Sequence, residues 1–210
     1  MRNITIIDYG CGNVLSLYRA IQEIGFKSLV TKEKSDISKS DLLILPGVGA
    51  FGNAMNFLKK YDLIDILIEQ VKTRKKPLIG ICLGMQLLLS KSYEIGEHEG
   101  LNFIEGNVID IKKKTKKSFI KTPHIKWNKI FLEEGRDKIL NKNLYNKDYY
   151  FIHSFIAETK NRQETLAFSK YCDLKIPAII NKDNILGFQF HPEKSGKNGL
   201  MLLKESLKNL

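Results

Sequence analysis

The first half of the chain alternates short β-branched apolar runs with stretches that repeat apolar residues at helical spacing. Ile4–Asp8 leads into the turn-like Tyr9-Gly10-Cys11-Gly12-Asn13. Val14, Leu17, Tyr18, Ile21 and Ile24 then recur every three or four positions and stop at Gly25. Phe26–Val30 and Asp41–Leu45 read as further strands, the latter closing into Pro46-Gly47-Val48-Gly49. Met55–Val71 is helical in pattern, in two pieces around Tyr61-Asp62, and the strand Pro77–Ile81 runs directly into a helix over Leu83–Leu89. Strand and helix alternating at this spacing predict parallel βαβ units. After Gly100 the texture changes. Short alternating runs at Phe103–Ile111, Ser118–Ile120, Lys129–Leu132, Tyr149–Phe155, Glu164–Ser169, Ala178–Ile180 and Ile185–Phe190 are separated by Lys, Asn, Gly and Asp clusters, and a helix over Lys194–Leu207 follows. These predict antiparallel strands. The expected architecture is α/β: one domain over residues 1–210, with a mixed sheet flanked by helices.

Composition narrows the class. The 210 residues are 43% apolar and 27% charged, with 34 Lys+Arg against 23 Asp+Glu for a net charge of +11, which is ordinary globular usage. The longest apolar run, Pro77–Leu89, is interrupted by glycines and is shorter than the ~18 residues a spanning helix requires. Asp8 interrupts the apolar stretch of Met1–Gly10, so no signal peptide is expected. Cys11, Cys82 and Cys172 are far apart and form no C-x-x-C pair, so neither a disulfide framework nor a metal site is expected, and a reducing cytoplasm fits. Eight lysines fall between Lys112 and Lys129 with no acid among them. A solvated hairpin is the first reading of that stretch, and steering of an anionic partner the second. No nucleic-acid-binding signature accompanies it.

Candidate chemistry concentrates in three motifs. Gly80 and Gly84 flank Cys82 at i−2 and i+2, at the end of a buried strand and the start of a helix. That is the spacing of a nucleophile elbow, G-x-S-x-G with sulfur in place of oxygen. The helix start would put the Leu83 N–H beside the sulfur as an oxyanion donor. A small buried cysteine at a strand end is the plainer alternative. A nucleophile needs a base and the base an orienter. His191-Pro192-Glu193 offers both, because residues i and i+2 of an extended segment share a side and Glu193 can reach one ring nitrogen while the other faces the thiol. The Pro46-Gly47-Val48-Gly49 turn would lie at the C-terminal edge of the third strand, where ligands collect in parallel sheets, and presents unobstructed N–H groups.

Taken together, Pro46–Gly49, Gly80–Gln86 and His191–Glu193 resemble the class I (triad) glutamine amidotransferases. Asp8–Asn13, Pro123–Asn128 and Tyr150–Ser154 resemble, more narrowly, the glutaminase subunits of imidazole glycerol phosphate synthases, and the similarity runs from residue 3 to about 205. The resemblance implies a flavodoxin-like fold and a catalytic triad of Cys82, His191 and Glu193. It implies oxyanion N–H groups from Val48 and Leu83, with Gly47 and Gly49 letting the strand turn. Glutamine would be bound by Gln86, Glu94, His153, Ser154 and Phe155. It further implies a heterodimer with a (β/α)8-barrel synthase subunit that receives ammonia through a channel, with His124, Lys126, Trp127, Asn128 and Lys194 at the interface, and no cofactor. The isolated subunit would have little activity until ligand in the partner switches it on, with Pro46–Gly49 as the two-state element.

This chain departs from the family on the docking side. Lys126 stands where glycine is usual, and Asn102 and Glu105 stand where glycine and proline are common. A paralogue feeding ammonia to a partner that amidinates a surface-polysaccharide sugar is therefore the second reading of the acceptor. Rival classes are a different cysteine-dependent α/β hydrolase, disfavoured by Gln86 and the His-Pro-Glu order, and a non-enzymatic anion-binding module.

Overall fold

A computed structural model describes residues 2–135 and 140–210. The parallel half comprises β1 (Ile4–Ile7), α1 (Val14–Glu23), β2 (Ser28–Thr31), α2 (Lys34–Lys39), β3 (Leu42–Leu45), α3 (Phe51–Lys60), α4 (Ile64–Ile68), β4 (Leu78–Ile81) and α5 (Leu83–Leu87). Then come β5 (Lys91–Ser92), β6 (His98–Glu99), β7 (Gly106–Asp110), β8 (His124–Leu132), β9 (Asp148–His153) and β10 (Phe155–Thr159). The last elements are β11 (Thr165–Tyr171), β12 (Leu174–Lys182), β13 (Ile185–Phe188) and α6 (Gly196–Asn209). Among the described residues, nine strands form one sheet in the order β2-β1-β3-β4-β13-β12-β11-β8-β9, and β10-β7-β5-β6 form a second. Pairing is parallel from β2 to β13 and antiparallel from there to β9. This is the expected mixed sheet flanked by helices.

The central strands are buried on both faces, which is why β1, β3 and β4 read as continuous apolar runs. The two-residue period still sorts their side chains. Ile4, Ile6, Leu42 and Ile44 pack with Leu17 and Ile21 of α1 and Leu202 and Leu203 of α6 on one face. Ile7, Leu43 and Leu45 pack with Phe51, Met55 and Leu58 of α3 on the other. Helix α1 begins where Asn13 Oδ1 accepts from Ser16 N (3.3 Å) and ends before Gly25, whose φ is +86°.

Several elements differ from the sequence pattern. The segment Lys34–Lys39 folds as a helix on a single buried apolar residue, Ile37, too little to register as a period. The long helix begins at Phe51, breaks at Tyr61-Asp62 as expected, and widens into a π-turn over Glu69–Thr73. Ser118–Ile120 forms no strand: Ile120 is buried against Ile111, Ile156 and Ile176, so its apolarity serves packing. The lysine-rich stretch is not a hairpin but a 3-10 turn at Ile111–Lys113 followed by irregular chain before β8. Strand β8 starts at His124, five residues before the apolar run, because polar His124 and Asn128 pair with β9. Tyr149–Phe155 splits at Ser154 into β9 and β10, which join different sheets. A 3-10 turn at Pro192–Lys194 precedes α6, so that helix begins two residues late.

Candidate active site

Strands β3, β4 and β13 are consecutive neighbours in parallel register, Leu45 beside Gly80 and Gly80 beside Gly187. The three motifs at their C-terminal ends therefore meet at one edge. Cys82 follows β4 with φ 53° and ψ −109°, a backbone state that costs a non-glycine residue about 1–3 kcal/mol. Its N–H donates to Phe188 O (2.7 Å) and its carbonyl accepts from Gln86 N (3.2 Å). The glycines at ±2 have a direct steric cause. A Cβ at Gly84 would lie 1.8 Å from Leu45 O, and one at Gly80 would lie 2.8 Å from Gly84 O.

His191 is extended (φ −100°, ψ 96°), and its N–H donates to Tyr150 O (3.0 Å). Its Nδ1 lies 2.8 Å from Glu193 Oε1, with the two side chains 3% and 4% exposed. The pair forms because Glu193 sits in the 3-10 turn, not because both residues are extended as the sequence argument had it. Ring nitrogen Nε2 is buried with no hydrogen-bond partner among the described residues, and His191 and Cys82 line the same cavity. Burial opposes a charged ring here, yet Cys82 and Glu193 outweigh it and raise the His191 pKa from 6.5 to about 10. The arrangement favours an imidazolium held between a sulfur and a carboxylate.

Two further groups approach the sulfur. Ile152 O and Gln189 Nε2 each lie 3.9 Å from Cys82 Sγ. Gln189 was not singled out in the sequence. Its only signal was a polar residue between Phe188 and Phe190 at the end of a buried strand. Gln86 Nε2 donates to Phe155 O (3.0 Å) and Gln189 Oε1 (3.3 Å). His153 Nδ1 also lies 2.9 Å from Phe155 O, and its Nε2 lies 3.0 Å from His124 Nδ1, whose Nε2 meets Asn128 Nδ2 at 3.0 Å. A carbonyl at one end fixes every tautomer in this ladder. Burial is the main cause holding both rings neutral, lowering the His124 pKa to about 4 with help from Lys126, and that of His153 to about 3 with help from His124.

A cavity of about 330 Å³ opens at this edge, lined by Val48, Gly49, Cys82, Leu83 and His191 on one side. All five expected glutamine-binding residues line it: Gln86, Glu94, His153, Ser154 and Phe155. Glu94 also accepts from Phe51 N (2.6 Å) and so caps α3. Gly47 lies beneath rather than in the cavity. A Cβ there would sit 2.7 Å from Tyr9 Oη, which donates to Pro46 O at 2.7 Å. Lys194 stands on the cavity wall, and Trp127 is half exposed on β8 beside exposed Ile125 and Ile152. Lys126 is exposed on the same strand, in extended backbone that demands no glycine. Asn102 adopts φ 51°, which asparagine tolerates in place of glycine. His124 is fully buried, its ring stacked on Tyr171 and Phe151, so it supports β8 from behind. Among the described residues no cluster of His, Cys, Asp or Glu is suited to a metal ion, and no helix is long and apolar enough to cross a membrane.

An elbow cysteine beside a His–Glu pair at the edge of a mixed sheet defines a class of protein. The family model for class-I glutamine amidotransferases matches residues 5–210, and the chain belongs to that family of enzymes. Among individual relatives, the chain is 42% identical over its whole length, and over the whole of the relative, to "Imidazole glycerol phosphate synthase subunit HisH" of Lactococcus lactis. It is 43% identical to the protein of the same name in Carboxydothermus hydrogenoformans, covering 95% of this chain and 96% of that one. A solved structure titled as a glutamine amidotransferase shares the fold at TM-score 0.72 and 17% identity, covering 99% of both chains. PurLQS from Thermotoga maritima does so at TM-score 0.72 and 19% identity, again over 99% of both chains.

Proposed function

We propose that residues 1–210 act as one glutaminase unit, the ammonia-supplying subunit of an imidazole glycerol phosphate synthase in histidine biosynthesis. The observation that carries the reading is that Cys82 lines one cavity with His191, whose Nδ1 lies 2.8 Å from buried Glu193, past the ends of adjacent parallel strands. Whole-length identity to the HisH proteins supports the pathway.

In this mechanism the Cys82 thiolate attacks the side-chain amide carbon of glutamine. The tetrahedral oxyanion is met by the N–H groups of Leu83 and Val48. His191, held by Glu193, gives its proton to the departing nitrogen, and ammonia leaves a glutamyl thioester on Cys82. His191 then takes a proton from water, which attacks the thioester and releases glutamate, regenerating the thiolate and the imidazolium. Gln86, Glu94 and the residues 153–155 hold the glutamine head group in the cavity. The ammonia passes into a (β/α)8-barrel partner docked over the exposed Ile125, Trp127 and Ile152, with Lys126 and Lys194 at the rim. The protein works in the cytoplasm.

The test mixes this chain with a histidine-pathway barrel subunit from the same source, with and without the phosphoribosyl substrate, and measures glutamate release. Strong stimulation that disappears in Cys82→Ala is the expected result. Failure to dock or to be stimulated, with the fold intact, would overturn the pathway assignment and direct attention to a sugar-amidinating partner.

A further inference from the structure

Gln189 has no solvent exposure, and a buried amide must place all its polar atoms. Phe188 and Phe190 pack into the cluster on the α1/α6 face, so the two-residue alternation sends Gln189 to the opposite side, over α5. There its oxygen accepts from Gln86 Nε2 at 3.3 Å and its nitrogen lies 3.9 Å from Cys82 Sγ. The orientation follows from donor and acceptor counting. Phe155 O takes Gln86 Nε2 at 3.0 Å and His153 Nδ1 at 2.9 Å, so the buried end of Gln86 is its donor end. A reversed Gln189 would set one NH2 group against another. Its nitrogen must therefore face the sulfur.

We infer that Gln189 is a catalytic residue of this glutaminase: its amide N–H donates to the Cys82 sulfur and favours the thiolate, and Gln86 is the positioning residue that aims it. The inference rests on the reading of Cys82 as the nucleophile. Ile152 O, the other polar neighbour at 3.9 Å, accepts from a neutral thiol and repels a thiolate. Gln189 and Ile152 thus act on opposite sides of the proton transfer. A hydrogen bond to a charged group is stronger than one to a neutral partner, so the Gln189 bond grows as the sulfur becomes the attacking species.

The test follows iodoacetamide alkylation of the chain at about pH 7, with mass spectrometry reporting Cys82 and the exposed Cys172 separately. Gln189→Glu keeps the shape and the acceptor for Gln86 but loses the donor, and is expected to slow Cys82 alkylation about tenfold. Gln189→Met is expected to slow it about threefold, because lost thiolate is offset in part by higher intrinsic nucleophilicity. Cys172 keeps its rate in both. In the complex, kcat for glutamine hydrolysis falls with KM within about twofold, since the amide touches the sulfur and not the head group. Should Gln189→Glu fail to fold, Gln189→Met carries the same readings, and Gln86→Met carries the alkylation reading alone because Gln86 also lines the glutamine cavity. Cys82 alkylation within twofold of the parent in the folded variants overturns the inference. Alkylation needs neither partner nor glutamine, so slowed alkylation in a chain that never hydrolyses glutamine would refute the glutaminase reading and leave the hydrogen bond standing.

Discussion

Replacing Glu193 with glutamine changes one charge and almost no volume, in a place where water cannot screen the loss. The two side chains are 3% and 4% exposed and the contact is 2.8 Å. In the parent, His191 is raised from 6.5 to about 10 by Cys82 and Glu193 against the opposing effect of burial. A neighbouring carboxylate contributes about one to three pKa units at such a site, or about 1–4 kcal/mol at 1.4 kcal/mol per unit. The folded-state value lies above the unfolded one, so the stabilisation is complete below about pH 6.5 and is lost as pH rises toward about 10. In Glu193→Gln the folded value drops and the alkaline loss begins correspondingly earlier. Thermal unfolding from about pH 6 to 10, with the His191 ring titrated by NMR, measures both shifts. Activity should fall at least a hundredfold, because burial then disfavours the imidazolium that, in the proposed mechanism, protonates the departing amide nitrogen. An unchanged His191 titration in the variant would refute the reasoning, since Glu193 would then hold the ring without setting its charge.

Other perturbations test neighbouring parts. Gly84→Ala drives a Cβ to 1.8 Å from Leu45 O, a backbone clash worth about 4 kcal/mol or more. Calorimetry should show Tm lowered by about 10 °C, and an unchanged Tm would mean that the elbow yields. Tyr9→Phe leaves Pro46 O without its 2.7 Å donor, so a loss of about 1–3 kcal/mol should accompany a lower kcat at little-changed KM, because the turn bearing Val48 loosens. A stable variant with full kcat would show that Tyr9 merely fills space. His124 and His153 titrate in the opposite sense to His191. Their folded values, about 4 and about 3, lie below 6.5, so the unfolded chain binds more protons and stability falls as pH drops from about 6.5 toward 4. His124→Phe should flatten that acid slope in unfolding experiments, and an unchanged slope would place its origin elsewhere.

The parallel core was legible because β1, β3 and β4 lie under helices on both faces, and continuous apolar runs cannot be mistaken for half-exposed strands. The elbow was legible for a different reason. Gly80 is fixed by contact of a Cβ with the Gly84 and Met85 backbone, and Gly84 by Leu45 O of the neighbouring strand, yet both glycines stand two residues from Cys82 and so mark the turn in the sequence. His191 and Glu193 were also close in sequence, although the turn that joins them was not foreseen. What escaped detection depends on distant partners. Gln189 finds Gln86 across 103 positions and His124 finds His153 across 29, and no local period marks such pairs. Strand β8 was shortened in the reading for the same cause, since its first residues are polar and gain their place only by pairing with β9. The second sheet was obscured by the brevity of β5 and β6, at two residues each. Two positions where the chain departs from the family pattern read differently in three dimensions. Lys126 and Asn102 occupy backbone states that lysine and asparagine respectively tolerate, so neither position is closed to its residue.

The most direct test of the central claim is covalent trapping of the active-site nucleophile. The complex would be treated with a diazo-ketone analogue of glutamine, digested, and read by mass spectrometry at all three cysteines. The account predicts a single adduct on Cys82, suppressed by excess glutamine and absent in Cys82→Ala, with Cys11 and Cys172 unmodified. Glutamine hydrolysis that proceeds with Cys82 unlabelled, or that survives Cys82→Ala, would contradict it.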